Sequence, residues 1–407
     1  MGLFSKLSKH AKDFASDISK DSESQKSSNG AAPYVQLFQC KNENSSMSSP
    51  NSAPRPIMIK DVTELGDVKS TSTCVKRDLG FQGKLGKHIL LTYGDTMYSK
   101  EGANDEFKGM TCNSVAIASD DPTKVHDPLL NDDGWPHCFL QPSKEYNEDP
   151  SVFALGITNI IEIRPGAGIL YFLLNHRPEG NDNLLGAGVA EVSLESSMGS
   201  PVPKIERFSR FWWNGENEPW YGDVCALKAG DHVYAYGHAK DNPWVYVTRA
   251  RLAEATHLEA YEYWNGEAWQ NERLQIQHLN ERQSVFWQVN QGQVFWSNYH
   301  NCYLFIYCDK FWSCQVLLKT ASAPEGPWSE PITVHKPKPI AEGGNIYSAI
   351  PHPYYDPSGR TLVITYTNHP NTIQAIQVVS IWRAPPLLHK TLTVLGRISN
   401  NFHYVLL

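Results

Sequence analysis

The segment Gly86–Asp95 reads G-K-H-I-L-L-T-Y-G-D, and four later segments share its pattern. They are G-A-G-I-L-Y-F-L-L-N-H over 166–176, A-G-D-H-V-Y-A-Y-G-H over 229–238, H-N-C-Y-L-F-I-Y-C-D over 300–309 and S-G-R-T-L-V-I-T-Y-T-N over 358–368. Each opens on turn residues and runs into an aromatic and β-branched stretch, the signature of a strand leaving a tight turn. Ahead of each copy stands another strand-like segment: T-C-V-K-R-D-L-G-F (73–81), V-F-A-L-G-I-T-N-I-I-E-I (152–163), W-Y-G-D-V-C-A-L-K (220–228), V-F-W-Q-V-N-Q-G-Q-V-F (285–295) and N-I-Y-S-A-I-P-H-P-Y-Y (345–355).

The copies end at 95, 176, 238, 309 and 368, an irregular spacing that suits a four-stranded unit with its loops. One such sheet cannot bury both faces, whereas sheets arranged radially stack face on face and leave only short edges. The repeat therefore predicts an all-β fold, a five-bladed β-propeller over residues 57–407, in preference to two β-sandwich domains, which need no repeated unit of this length. Composition agrees: charged residues are 19% and aromatics 11%, with 28 Gly and 26 Pro for the turns.

Residues 1–20 place Leu3, Phe4, Leu7, Ala11, Phe14 and Ile18 at helical spacing with lysines between them. They read as a short basic amphipathic helix, packed on the propeller or touching an anionic membrane surface weakly. Residues 21–56 are rich in Ser, Asn, Pro, Lys and Glu and read as a disordered linker. A net charge of -7 without a Lys/Arg stripe argues against nucleic acid as a partner. With no secretory signal pattern and no apolar run of about 18 residues, the expected setting is cytoplasmic, as a monomer. The eight cysteines show no C-x-x-C pair and are expected to be reduced and mostly buried. Nucleotide-binding and serine-hydrolase motifs are missing, so no cofactor is expected. His176, His238 and His369 sit at comparable ends of the repeated strand, which spreads them around the ring and argues against a shared metal.

In a propeller the innermost strands line a central funnel, where polar groups from several blades converge. Asp78 in R-D-L-G-F and Asp95 in Y-G-D-T flank one hairpin turn, so their carboxylates can meet across neighbouring strands. Paired carboxylates are what glycosidic cleavage needs, although Asp beside Gly or Thr also forms ordinary turns. Asn113, Asn159, Glu162, Tyr221, Asp223, Trp287, Tyr347 and His352 are the further funnel candidates, with hydroxyl-binding and ring-stacking chemistry suited to a glycan or another small-molecule ligand.

The D-L-G (78–80) and G-D-T (94–96) pair, with G-P-W at 326–328 and Y-x-x-x-x-H-P at 347–353, resembles an uncharacterised-domain family. Its bacterial members include endo-acting D-arabinofuranosidases that degrade mycobacterial D-arabinan. The resemblance runs from about Thr73 to the last blade and implies that Asp78 and Asp95 correspond to the family's two acids. The family's members that attack cell-wall glycans are exported, whereas this chain shows no recognisable signal and carries an added basic helix. The expected function is a glycosidase-like hydrolase with one funnel site, acting on a furanoside or another small glycosidic compound. The alternatives are a carbohydrate- or protein-binding propeller, or one recruited to a biosynthetic step on a non-sugar metabolite. A lectin propeller repeats its contacts in every blade, while the D-L-G/G-D-T pair occurs once, which favours an enzyme.

Overall fold

The computed structural model describes residues 57–71, 73–99, 107–178, 183–197, 200–309 and 314–382. The expected helix over 1–20 and linker over 21–56 lie outside the described residues, as does Cys40. The fold is all-β. Helical turns among the described residues are three-residue 3-10 segments such as Lys144–Tyr146 and Pro353–Tyr355.

The repeated segments form the strands His88–Ser99, Ala167–His176, His232–Ala239, Cys302–Asp309 and Thr361–Asn368. Each pairs antiparallel with the strand ahead of it: Val75–Leu85, Phe153–Ile157 together with Ile161–Arg164, Cys225–Ala229, Val289–Ser297 and Ile346–His352. These leading strands lie at the inner ends of their sheets. The largest sheet has eight strands, but its two antiparallel quartets meet only at one parallel bridge between leading strands, Gly292 opposite Ala349. Beyond the repeat, Ile57–Asp67 pairs antiparallel with Thr372–Trp382, Ile57 opposite Trp382 and Asp67 opposite Gln374, and forms the outer edge of the last quartet.

The leading strands touch one another in succession. Gly83 lies so close to the Ile160 backbone that a Cβ there would collide with it, which explains the glycine. The Asn159 amide donates to the Ala226 carbonyl and accepts from its N–H, both at 2.8 Å. His238 Nε2 lies 3.2 Å from the Val289 carbonyl, and the 292/349 bridge carries the contact onward. At the seam the Leu79 N–H donates to the Thr367 hydroxyl at 3.0 Å, so the succession returns to its start. Sheets whose inner strands close a circle in this way form a β-propeller.

Alternating apolar residues fill the spaces between facing sheets, as two-residue periodicity requires. Trp213, Tyr221, Tyr261 and Tyr263 form one strongly aromatic core. There Trp213 Nε1 donates to the Tyr263 hydroxyl at 3.1 Å, and the Tyr171 and Tyr261 hydroxyls are 3.0 Å apart. Burying such a ring stabilises the fold by roughly 1.5–3 kcal/mol. Tyr221 belongs to this core, 1% exposed.

Candidate active site

The hairpin of Val75–Leu85 and His88–Ser99 is interrupted where the motif lies. Arg77 is opposite Thr96 and Leu79 opposite Tyr93, with register shifts on both sides of Leu79. Asp78 is thereby bulged out against Gly94 and Asp95, and bulges of this kind re-aim side chains near functional sites. Leu79 adopts φ 69° and Gly80 φ 93°. The left-handed conformation costs a non-glycine residue about 1–2 kcal/mol, and here Thr367 holds it through the Leu79 N–H. Gly94 is required for packing: a Cβ at that position would run into Asp78 Oδ1.

The two oxygens of Asp78 differ. Oδ2 accepts a hydrogen bond from the Tyr347 hydroxyl at 3.0 Å. Oδ1 is buried and has no partner in hydrogen-bond geometry among the described residues. Burial first, and the neighbouring Asp95 charge second, push the Asp78 carboxyl up to about 8, against opposing pulls from Tyr347, the Asp95 backbone and Arg177. Burial outweighs the hydrogen bond, so the proton stays on Asp78 at neutral pH. Arg177 is exposed at the end of Ala167–His176, and its charge reaches both Asp78 and Cys112.

This pKa has a consequence for stability. The native state holds a proton that the unfolded chain releases near pH 4, so stability falls as pH rises from about 4 to about 8. Asp78→Asn removes that cost. The variant is expected to melt above the parent at pH 8 and level with it near pH 4. A variant that melts below the parent at pH 8 would show that the carboxylate serves the turn.

Comparable irregularities recur on, or just ahead of, three of the other leading strands. Gly222, Gln288 and Ser348 have φ of 96°, 49° and 54°, and register shifts fall between Val289 and Gly292 and between Tyr347 and Ile350. Asn290 Nδ2 and Ser348 Oγ, at these bulges, are buried and have no hydrogen-bond partner among the described residues. Asp223 follows Gly222 and pairs with His238 Nδ1. Trp287 is 53% exposed and lies 6.0 Å from the Trp244 ring, an aromatic pair beside Gln288. Asp78, Asp95 and Tyr347 are thus brought together, whereas Asp223 and Trp287 both belong to the sheet of Cys225–Ala229, two places round the circle.

The remaining candidates are engaged elsewhere. Asn113 is fully buried, donating to the Leu140 and Leu155 carbonyls at 2.8 and 2.9 Å and accepting from the Leu140 N–H at 2.8 Å. Asn159 lines an axial cavity of about 410 Å³ with Gln82, Ala226 and Gln293, but its amide is used by Ala226. Glu162 accepts the turn N–H groups of Gly86 and Gly166. His352 is 2% exposed, bonded through Nε2 to the Thr365 hydroxyl at 2.7 Å and pushed down to about 3 by burial. The axial cavity and a second one of about 380 Å³ include Lys84, at the opposite end of its strand from Asp78 and roughly 20 Å away. Of the cysteines, Cys225, Cys302 and Cys308 are buried, but Cys74, Cys112, Cys138 and Cys314 are half-buried, which corrects the expectation of mostly buried thiols.

Sequence reasoning passed over Arg177, Asn290, Ser348 and Cys112. Arg177 directly follows His176 at the end of a repeated strand, which was a usable signal. Asn290 and Ser348 depend on bulges, and Cys112 on the approach of the Cys138 loop, none of which a single sequence displays.

The chain belongs to the family described as a domain of unknown function, DUF5005, whose model matches residues 88–385. No curated protein matches it. Among solved structures it is similar to a candidate hydrolase from Bacteroides ovatus ATCC 8483, with TM-score 0.54, 17% identity, and 74% of this chain and 85% of that one covered. That likeness concerns the fold. An exo-β-1,3-galactanase from Phanerochaete chrysosporium, solved with β-1,3-galactotriose, aligns at TM-score 0.44 and 11% identity over 79% and 64% of the chains. The Bacillus subtilis arabinanase Arb43A aligns at 0.37 and 11% over 75% and 96%, and neither score supports an argument.

Proposed function

We propose that this protein is a glycosidase-like hydrolase on a five-bladed propeller, cleaving a furanoside or another small glycosidic compound with Asp78 as general acid and Asp95 as base or nucleophile. The observation that carries the reading is the asymmetry of Asp78. Tyr347 donates to one oxygen while the other is buried with no donor in hydrogen-bond geometry among the described residues, and the carboxyl is pushed up to about 8. Environments that leave one carboxyl of a close pair protonated define acid and base roles. The hydrolase label of the Bacteroides ovatus neighbour agrees with this class. Five quartets of strands, two of them joined by the 292/349 bridge, support the blade count. The exposed Trp287 ring, with the half-buried Trp244 ring beside it, offers a flat face to sugar C–H groups. That pair also favours a second reading, a carbohydrate-binding propeller without turnover.

A pH–rate profile on aryl furanosides tests the proposal. A general acid must be protonated to act, so kcat/KM is expected to fall as pH rises through about 8. In Tyr347→Phe the hydrogen bond that stabilises the ionised form is lost and this limb should move to higher pH. A limb that stays in place in the variant would mean that another group titrates.

A further inference from the structure

A pair of half-buried thiols lies beside this site. Thr111 is opposite Thr96 and Ser114 opposite Tyr93, so Cys112 and Asn113 face Gly94 and Asp95 across the sheet. Cys138 arrives from the following loop, and its sulfur is 3.8 Å from that of Cys112, within van der Waals contact. The buried Asn113 amide clamps both segments: Nδ2 points to Cys112 Sγ at 3.4 Å and to the Leu140 carbonyl, while Oδ1 takes the Leu140 N–H. Cys138 Sγ lies 3.4 Å from the Leu140 carbonyl.

The two sulfurs are not equivalent. The Asn113 amide N–H donates to Cys112, whereas Cys138 lies against Asn113 Oδ1 and the Leu140 carbonyl oxygen, with the Thr111 side chain and the Asn113 backbone also reaching it. The charged groups facing Cys112 are Asp95, which disfavours a thiolate, and Arg177, which favours one. The Cys138 hydrogen bond, acting against burial, holds Cys112 down at about 7, while the same bond and burial push Cys138 up. A thiolate touching a protonated thiol is the arrangement of a reactive dithiol.

We propose that Cys112 and Cys138 form a dithiol that hydroperoxides oxidise to a disulfide next to the carboxylate pair. The Cys112 thiolate attacks the O–O bond of the peroxide, an S–O bond forms and hydroxide leaves, giving the sulfenic acid. The Cys138 sulfur then attacks Cys112, the S–O bond breaks, and water departs with the Cys138 proton. Two thiols and one hydrogen peroxide give one disulfide and two waters. The sulfurs must close from 3.8 Å to about 2.05 Å, which draws the Cys138 loop toward the segment facing Asp95. An effect on turnover rests on the hydrolase reading; the disulfide does not.

The test treats the full chain with hydrogen peroxide, blocks free thiols with iodoacetamide and maps peptides by mass spectrometry. The expected product is a Cys112–Cys138 linked peptide, with Cys225, Cys302 and Cys308 left as thiols. Without peroxide at pH 7, Cys112 should be alkylated about tenfold faster than Cys74. Cys138→Ser should leave Cys112 as a sulfenic acid that dimedone traps, and Cys112→Ser should leave Cys138 unoxidised. These readouts need no substrate, so they hold or fail independently of the hydrolase assignment. A fully reduced pair after peroxide, oxidation that falls first on Cys74, or Cys138 oxidising equally well in Cys112→Ser overturns the proposal.

Discussion

Asp78→Asn and Asp95→Asn are each expected to lower kcat on the substrate found by about 10²–10⁴-fold. Asn keeps the shape of either side chain but can neither deliver a proton to a leaving oxygen nor act as base or nucleophile. Since the two carboxylates act as one unit, the double variant should be scarcely slower than either single one. Leaving-group chemistry separates the roles. A dinitrophenyl furanoside departs without protonation, so Asp78→Asn should lose much less on it than on an unactivated glycoside, while Asp95→Asn should lose as much on both. In Asp78→Asn the Tyr347 hydroxyl can still donate to the amide oxygen, and the close approach of Gly94 is unchanged, so both proteins should remain folded. If both variants turn over normally but unfold at lower temperature, the carboxylates form the turn, and the carbohydrate-binding reading takes over.

Asp127→Ala should destabilise the fold by about 3–5 kcal/mol, read as a lower denaturation midpoint with unchanged slope. Arg77, beside the bulge, forms a two-pronged ion pair with Asp127 at 3.0 and 3.1 Å, and both residues are almost wholly buried. Ser70 and Thr73 donate to the same carboxylate at 2.6 and 2.8 Å, and the guanidinium lies 4.6 Å over the Tyr93 ring. Burial opposes the Asp127 charge, but Arg77 and the hydrogen bonds outweigh it and hold the carboxyl below its ordinary value. Removing it strands a buried cation. The ion pair's contribution is present above pH 4 and lost as pH falls through the depressed value, so the parent and Asp127→Ala should converge in acid. Arg77→Met combined with Asp127→Leu should recover much of the loss, because no unpaired charge remains. A single-variant loss below about 1 kcal/mol would show that water reaches Arg77.

The strands were legible because their signal is local. Tight turns and alternating aromatic or β-branched residues mark His88–Ser99 and Ala167–His176 without reference to the rest of the chain. Asp78 and Asp95 were legible for the same reason, since a hairpin brings its two flanks together. Tyr347, far away in sequence, entered as a funnel candidate on its leading strand, and it donates to Asp78. The character of Asn113, Asn159 and Glu162 was not legible. Whether a polar side chain meets a ligand or a backbone group depends on the neighbouring sheet, and these three meet the backbone of Leu140, Ala226 and Gly86. Strand Ile57–Asp67 escaped the repeat because its pattern is that of an edge, largely exposed, and its partner Thr372–Trp382 is at the far end of the chain.

That pairing of the first described strand with the last sets an order of events during synthesis. Residues 57–67 leave the ribosome early, yet their partner at 372–382 is made roughly 300 residues later, a delay of roughly 15–60 s at ~5–20 residues per second. For that interval the earlier sheets can stack on one another, but the circle stays open and the early strand has no edge of its own to join. Its charged sequence, I-M-I-K-D-V-T-E-L-G-D, suits the wait, because Lys and acidic residues discourage pairing with other nascent chains. The final step is then a closure of high contact order and should be the slowest in folding.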